Sequence, residues 1–317
     1  VYQFRPFLNS DPPHLAEIWR SQPPQRGIVQ PMSATLLDQF VFSKPYFERE
    51  GLIVAVRDGR PVGFVHAGFG PNDDRTALST DLGTTHLLML HSDSVDAALA
   101  DELLARSEAY LEHRGAKVLY AGGIRPLDGF YLGLYGGSEI PGVLATDLVL
   151  GDAARRNGYR EIDRVLVLRR DLGRLRPAVT WEQRRLRRMA TCREQYCRAP
   201  ASWWEACTTG AFERLDFFLE NSTSSQPLAS VSFWDIEPLS TSWRVPTAGM
   251  FDLHVAPEAR RQGLATYLLG EAFMRLRNRG IVLVEAQTMR GNTPALAMYQ
   301  KLGFETVDHG YVFRKGE

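Results

Sequence analysis

The sequence predicts an α+β protein made of two successive units, each a mixed, mostly antiparallel sheet flanked by helices. Three observations carry that expectation. Short apolar or β-branched runs alternate with helical patterns along all 317 residues. The order of elements in the first half returns in the second, and the halves close alike, with Gly158-Tyr159 and Gly303-Phe304. At roughly 150 residues per domain, the length suits two cores better than one.

In the first half, residues 2–7 alternate as a strand, and Ser10-Asp11-Pro12-Pro13 reads as a helix start with proline in the first turn. The runs 52–56 and 62–67 are joined by Asp58-Gly59, a hairpin signal. A strand at 86–90 precedes a helix over 95–110, where Leu99, Leu103, Leu104 and Leu111 recur at helical spacing and Gly115 ends the pattern. Strands at 117–120 and 164–168 complete the unit. In the second half, the pattern predicts helices at 181–196 and 202–207, strands at 214–219 and 229–234, and a loop at 237–246. A strand at 249–255, a helix at 263–279, a strand at 282–286, a helix at 293–302 and a strand at 311–313 follow. Arg174, Arg176, Arg184, Arg185, Arg187 and Arg188 surround Pro177 and read as a linker running into a solvated helix. The boundary is expected near Arg176, giving units 1–176 and 177–317.

Lys plus Arg and Asp plus Glu each number 37, so the formal net charge is zero. The whole-chain footprint of a nucleic-acid binder is therefore absent, and no nucleic-acid partner is expected. Hydrophobic residues at 44% and charged residues at 23% are those of an ordinary globular protein. Cys192, Cys197 and Cys207 have neither CxxC spacing nor clustered histidines, so reduced thiols and no metal are expected. No apolar run approaches the roughly 18 residues of a membrane span, and the first residues do not read as a signal peptide. The expectation is a soluble cytoplasmic protein with no membrane partner; composition is silent on oligomeric state.

The segment 253–265 carries the most chemistry. A strand ending in Leu253, His254 and Val255 turns through Ala256-Pro257 and enters a helix behind Arg260, Arg261, Gln262, Gly263, Leu264, Ala265 and Thr266. Helix-start amides with small residues beside them, and two arginines, make a site for a diphosphate. The spacing is neither GxGxxG nor GxxxxGK[ST], which disfavours a Rossmann or P-loop site. Arg260, Gly263 and Ala265 instead resemble the acyl-CoA-binding signature of the GNAT N-acetyltransferase superfamily: Arg or Gln, two residues, Gly, one residue, Gly or Ala. Further on, Asn292-Thr293-Pro294-Ala295 through Tyr299 to Gly303-Phe304 resembles its second motif. Locally, Thr293 and Pro294 suit the cap and first position of a helix, with Ala295, Met298, Tyr299 and Leu302 on one apolar face.

The resemblance implies two tandem GNAT-like domains, acetyl-CoA as acyl donor, no metal, and direct transfer to a primary amine on a small molecule or peptide through a tetrahedral intermediate. It implies that Tyr299 sits beside the CoA sulfur, where a phenol of ordinary pKa about 10 protonates the leaving thiolate. It implies that Asn292 bonds the pantetheine arm and that amides near Val255 polarise the thioester carbonyl. The amine must also lose a proton. Asp252 is the first candidate, as base or substrate contact, ahead of His254, Glu285 and Glu237.

The first half departs from the signature. After the strand at 86–90 comes Ser92-Asp93-Ser94-Val95-Asp96-Ala97, with acids where a diphosphate would lie, and Ala154 stands where Tyr299 stands in the second half. The expectation is a degenerate N-terminal copy and a catalytic C-terminal one. An extra stretch, 122–142, rich in glycine and aromatics, reads as a substrate-facing insertion, a contact between the units, or an ordered surface loop. Two alternatives to an enzyme of this type remain: a non-catalytic CoA-sensing or protein-binding module, and an aminoacyl transferase.

Overall fold

The computed structural model describes residues 1–174 and 181–316. In the first half β1 (Gln3–Pro6) leads into α1 (Pro12–Arg20), opened by two prolines and anchored by buried Asp11, which accepts from Arg5 at 2.7 and 2.8 Å. After α2 (Ala34–Leu37), β2 (Leu52–Arg57) and β3 (Arg60–Pro71) form the hairpin signalled by Asp58-Gly59, both at positive φ. β4 (Leu78–Leu90) follows, then α3 (Ala97–His113), whose Leu99, Leu103, Leu104 and Leu111 are buried as their spacing predicts. β5 (Val118–Ala121), β6 (Val143–Leu144), α4 (Leu148–Arg156) and β7 (Arg160–Asp171) complete the half.

In the second half come α5 (Trp181–Met189), β8 (Ala190–Tyr196), α6 (Trp203–Thr209), β9 (Arg214–Asn221), β10 (Pro227–Asp235), α7 (Glu237–Trp243) and β11 (Thr247–Val255). The half ends with α8 (Leu264–Asn278), β12 (Leu283–Met289), α9 (Thr293–Lys301) and β13 (Glu305–Lys315). α8 lays Leu268, Leu269, Ala272, Phe273 and Leu276 into a core shared with Phe217, Phe233 and Val284.

Three local expectations are corrected. The helix expected over 181–196 stops at Met189, because residues 190–196 pair antiparallel with β9 from Ala190↔Asn221 to Tyr196↔Leu215. Sheet pairing there outweighs the helix-favouring Arg, Glu and Gln. The loop expected over 237–246 contains α7, held by buried Leu239 and by Trp243, whose Nε1 donates to the Arg26 carbonyl at 2.9 Å. The cap of α9 is Asn292, one residue earlier than expected, with Pro294 still in the first turn.

All the strands join one sheet, thirteen among the described residues, in the order β1-β2-β3-β4-β5-β13-β7-β12-β11-β10-β9-β8, with β6 beside β13. The last strand of each half is exchanged: β13 pairs antiparallel with β5, and β7 pairs antiparallel with β12. β13 and β7 pair with each other between them. The repeat is visible in detail, since Tyr159 donates its N–H to the Ala154 carbonyl at 3.0 Å and Phe304 donates to Tyr299 at 2.9 Å. The expected boundary at 176/177 lies outside the described residues. Among the described residues no helix is long and apolar enough to cross a membrane.

Candidate active site

β11 and β12 run parallel only from Thr247↔Leu283 to Met250↔Ala286, after which β12 stays with β7 and β11 stays with β10. The strands open into a V. The register of β11 against β10 shifts between Phe251 and His254, and Asp252 takes φ of 52°. Such a bulge bends the strand outward and leaves its backbone unpaired on the V side. Leu253 and Val255 are half-buried, and His254 is exposed.

At the open end, a 3₁₀ turn over Pro257–Ala259 leads into α8. Gly263 caps α8 at φ 80° with no side chain to occupy the first amides. Arg261 at φ 61°, Gln262 and Gly263 are exposed, Ala265 and Thr266 half-buried, and Leu264 is anchored in the core. Arg260 Nε donates to the Val255 carbonyl at 3.2 Å, and Gln262 Nε2 to the Glu258 carbonyl at 3.3 Å. The turn is thus fixed in shape while its amides stay open, a cradle that suits a diphosphate. In the first half the corresponding turn is shorter: the 3₁₀ turn Ser92–Ser94 reaches α3 almost at once, and Asp96 caps it by accepting from Ala98 N–H at 2.9 Å.

The vertex of the V is filled by the stretch that sequence reading left open. Among its three readings, the contact between halves is realised. Ser138 donates its N–H to Glu285 Oε1 at 2.9 Å, and its carbonyl accepts from Trp234 Nε1 at 3.0 Å. Gln287 Nε2 donates to the Glu139 carbonyl at 2.7 Å. The approach is too close for side chains: a Cβ on Gly137 would lie 1.7 Å from Glu285 Oε1.

This stretch walls a cavity of about 190 Å³ with Arg125, Asp128 and Glu139 from the first half and Trp204, Phe251 and Asp252 from the second. Arg125 grips Asp252 with two bonds, Nη1 to Oδ1 at 2.7 Å and Nη2 to Oδ2 at 3.0 Å, and stands 3.6 Å from Glu139. Its guanidinium also lies 5.8 Å from the Phe251 ring centre. Burial pushes the Glu139 carboxyl up to about 8, against the opposing pull of Arg125 and with the help of Asp128 and Asp252. Asp128, buried beside Arg125, is also raised. An adjoining cavity of about 350 Å³ is lined by His254, Asp216, Arg214 and Ser232.

Tyr299 is buried on α9, its ring centre 5.1 Å from that of Phe304. Burial first, and then the charge of Glu139, hold its phenol well above the ordinary range. Asn292 Oδ1 accepts from Ala295 N–H at 3.3 Å and so caps α9. The other acids named from sequence are engaged. Glu285 is fully buried and pairs with Arg26 at 2.7 Å and Arg169 at 3.4 Å, while exposed Glu237 accepts from Thr241 Oγ1 at 3.2 Å. Sequence reading missed Arg125, Asp128 and Glu139; their only signal was the surplus length and composition of 122–142.

A sheet split between two parallel strands, with an open helix start at the mouth of the split, is the architecture of the second half. Residues 181–304 match the acetyltransferase (GNAT) family, and the second half of the chain carries a GNAT acetyltransferase domain. A 71-residue stretch is 35% identical to a mycothiol acetyltransferase of Saccharomonospora viridis, which is 22% of this chain and only 23% of that protein. Two solved structures share the fold over nearly the whole chain. A GCN5-related N-acetyltransferase from Sphaerobacter thermophilus has a TM-score of 0.66 at 15% identity, covering 99% of this chain and 95% of its own. A tandem GNAT protein from the clavulanic acid biosynthesis pathway has 0.67 at 16%, covering 99% and 98%. At such identities the likeness is one of fold.

Proposed function

We propose that the protein transfers an acetyl group from acetyl-CoA directly to a primary amine, using one site in the second half. The observation that carries this reading is the uncapped α8 start at Gly263, with Arg260 and Arg261 beside it, at the mouth of the V, while Tyr299 on α9 lies within reach of the charge of Glu139. The diphosphate would lie on the amides of 261–266, and the pantetheine along Leu253, His254 and Val255, with Asn292 opposite. The thioester carbonyl would then meet backbone amides at the bulge, which stabilise the charge of the tetrahedral intermediate.

The amine enters from the cavity walled by both halves. Asp252, held rigid by Arg125, supplies a fixed negative charge that contacts the acceptor ammonium. As the C–S bond breaks, Tyr299 protonates the sulfur; its raised pKa means that the phenol is protonated throughout the neutral range, and that the phenolate readily takes a proton back. The first half, with Asp96 on its helix start and Ala154 in place of a phenol, acts as a degenerate copy that builds the acceptor wall.

The test is thiol release from acetyl-CoA against a panel of small-molecule and peptide amines. Amine-dependent release with one acetylated product per thiol supports the reading; CoA binding with no release to any amine replaces it with a non-catalytic CoA-binding module.

A further inference from the structure

We infer that Glu139, carried by the first half into the site of the second, is the general base that takes the proton from the acceptor amine. The inference rests on the acetyltransfer reading above and adds a catalytic group to it.

Among the acids that line the cavity, Asp128 is buried and Glu205 pairs with Arg198 and Arg214, which leaves Glu139 and Asp252. Glu285 is closed off by Arg26, Arg169 and the Ser138 N–H. Asp252 is bound at both oxygens by Arg125. Glu139 lines the cavity with its side chain 23% exposed, on a backbone fixed by Gln287 and, through Ser138, by Glu285 and Trp234. Charged and titratable groups face it from each neighbouring element: Arg125 and Asp128 from its own segment, Asp252 from β11, and Tyr299 from α9. Burial above all, with the charges of Asp128 and Asp252, outweighs the pull of Arg125, which stands 3.6 Å away, and makes Glu139 a stronger base than an ordinary carboxylate. A carboxyl near 8 is better matched to an alkylammonium than one near 4.5.

The protons balance. An acceptor that arrives as an ammonium first gives one proton to solvent. The neutral nitrogen attacks the thioester carbon and forms the C–N bond, with the electron pair moving to oxygen, while the Glu139 carboxylate takes a proton from the nitrogen. As the intermediate collapses, the C–S bond breaks and sulfur takes the Tyr299 proton. The phenolate recovers the proton that Glu139 took. One proton ends on CoA and, for an ammonium acceptor, one in water.

The experiment follows thiol release from acetyl-CoA with hydroxylamine, an amine already neutral near neutral pH, over about pH 6 to 10 in the whole 317-residue chain. The unsubstituted protein is expected to gain rate as pH rises through about 8. Glu139→Gln should bind CoA unchanged by calorimetry, lose about 10²- to 10⁴-fold in kcat, and lose the rise. Glu139→Asp should keep a rise at reduced rate. Asp252→Asn should move the rise to lower pH, because it removes a negative neighbour and frees Arg125 for Glu139. A Glu139→Gln protein with the original profile, or an Asp252→Asn protein that alone abolishes the rise, overturns the inference. If the unsubstituted protein fails to bind CoA, or binds it and releases no thiol with hydroxylamine or any amine of the panel, the acetyltransfer reading falls; if it turns over without a rise through about pH 8, the base assignment alone falls.

Discussion

Glu285, on a strand of the second half, accepts the backbone N–H of Ser138, from the first half, at 2.9 Å. The same carboxylate pairs with Arg26 and Arg169, so one fully buried acid ties three first-half segments to the vertex of the V. Removing it leaves two cations facing a buried amide. Glu285→Ala is expected to destabilise the protein by about 3 kcal/mol, as when one partner of a buried pair is lost. Urea unfolding measures this, and a midpoint equal to that of the parent would mean the contact is energetically idle.

Gly263→Asp should abolish CoA binding. It places a carboxylate where the diphosphate would lie and an L-residue at φ 80°, with the Cβ in only an ordinary contact, 3.8 Å from Leu186 Cδ1, so the loss would be of charge and conformation rather than packing. Calorimetry is expected to give about one CoA per chain for the parent and none for the variant. Residual binding that disappears on altering Asp93 and Asp96 would transfer the site to the first half.

Tyr299→Phe keeps the ring that packs on Phe304 and removes the proton donor. CoA affinity should stay nearly constant while kcat falls by roughly 10- to 10⁴-fold. Parental turnover with a chemically limited acceptor would make Tyr299 a core residue only.

Glu139 also predicts a pH dependence of stability. Its folded-state pKa is raised from 4.5 to about 8, so between those values the folded protein holds a proton that the unfolded chain has released. Stability therefore falls as pH rises across that window and is unaffected by this group below it. Glu139→Gln should melt increasingly above the parent from about pH 4.5 to 8, then at a constant offset. Parallel melting curves across the window would contradict the burial cost.

Strand exchange predicts one unfolding transition. β13 lies between β5 and β7, so neither half holds a complete sheet without the other. Thermal unfolding followed by near-ultraviolet and far-ultraviolet dichroism should coincide. Two separated transitions would mean that the halves fold independently.

The sequence by itself determined what neighbouring residues decide. The hairpin at Asp58-Gly59, the uncapped turn ending in Gly263, the apolar face that buries Tyr299 and the Gly-aromatic ending of each half were all readable, because φ, capping and helical period act within a few residues. Residues 190–196 and 237–243 were misread because long-range partners, β9 and Arg26, overrode local propensity. The cavity between the halves was decided only by tertiary structure. Arg125 meets Asp252 across 127 residues, Ser138 meets Glu285 across 147, and the final strands change places between halves. No local pattern encodes such pairings; burial of the shared sheet and satisfaction of Glu285 select them, and they bring Glu139 into the cavity beside Asp252.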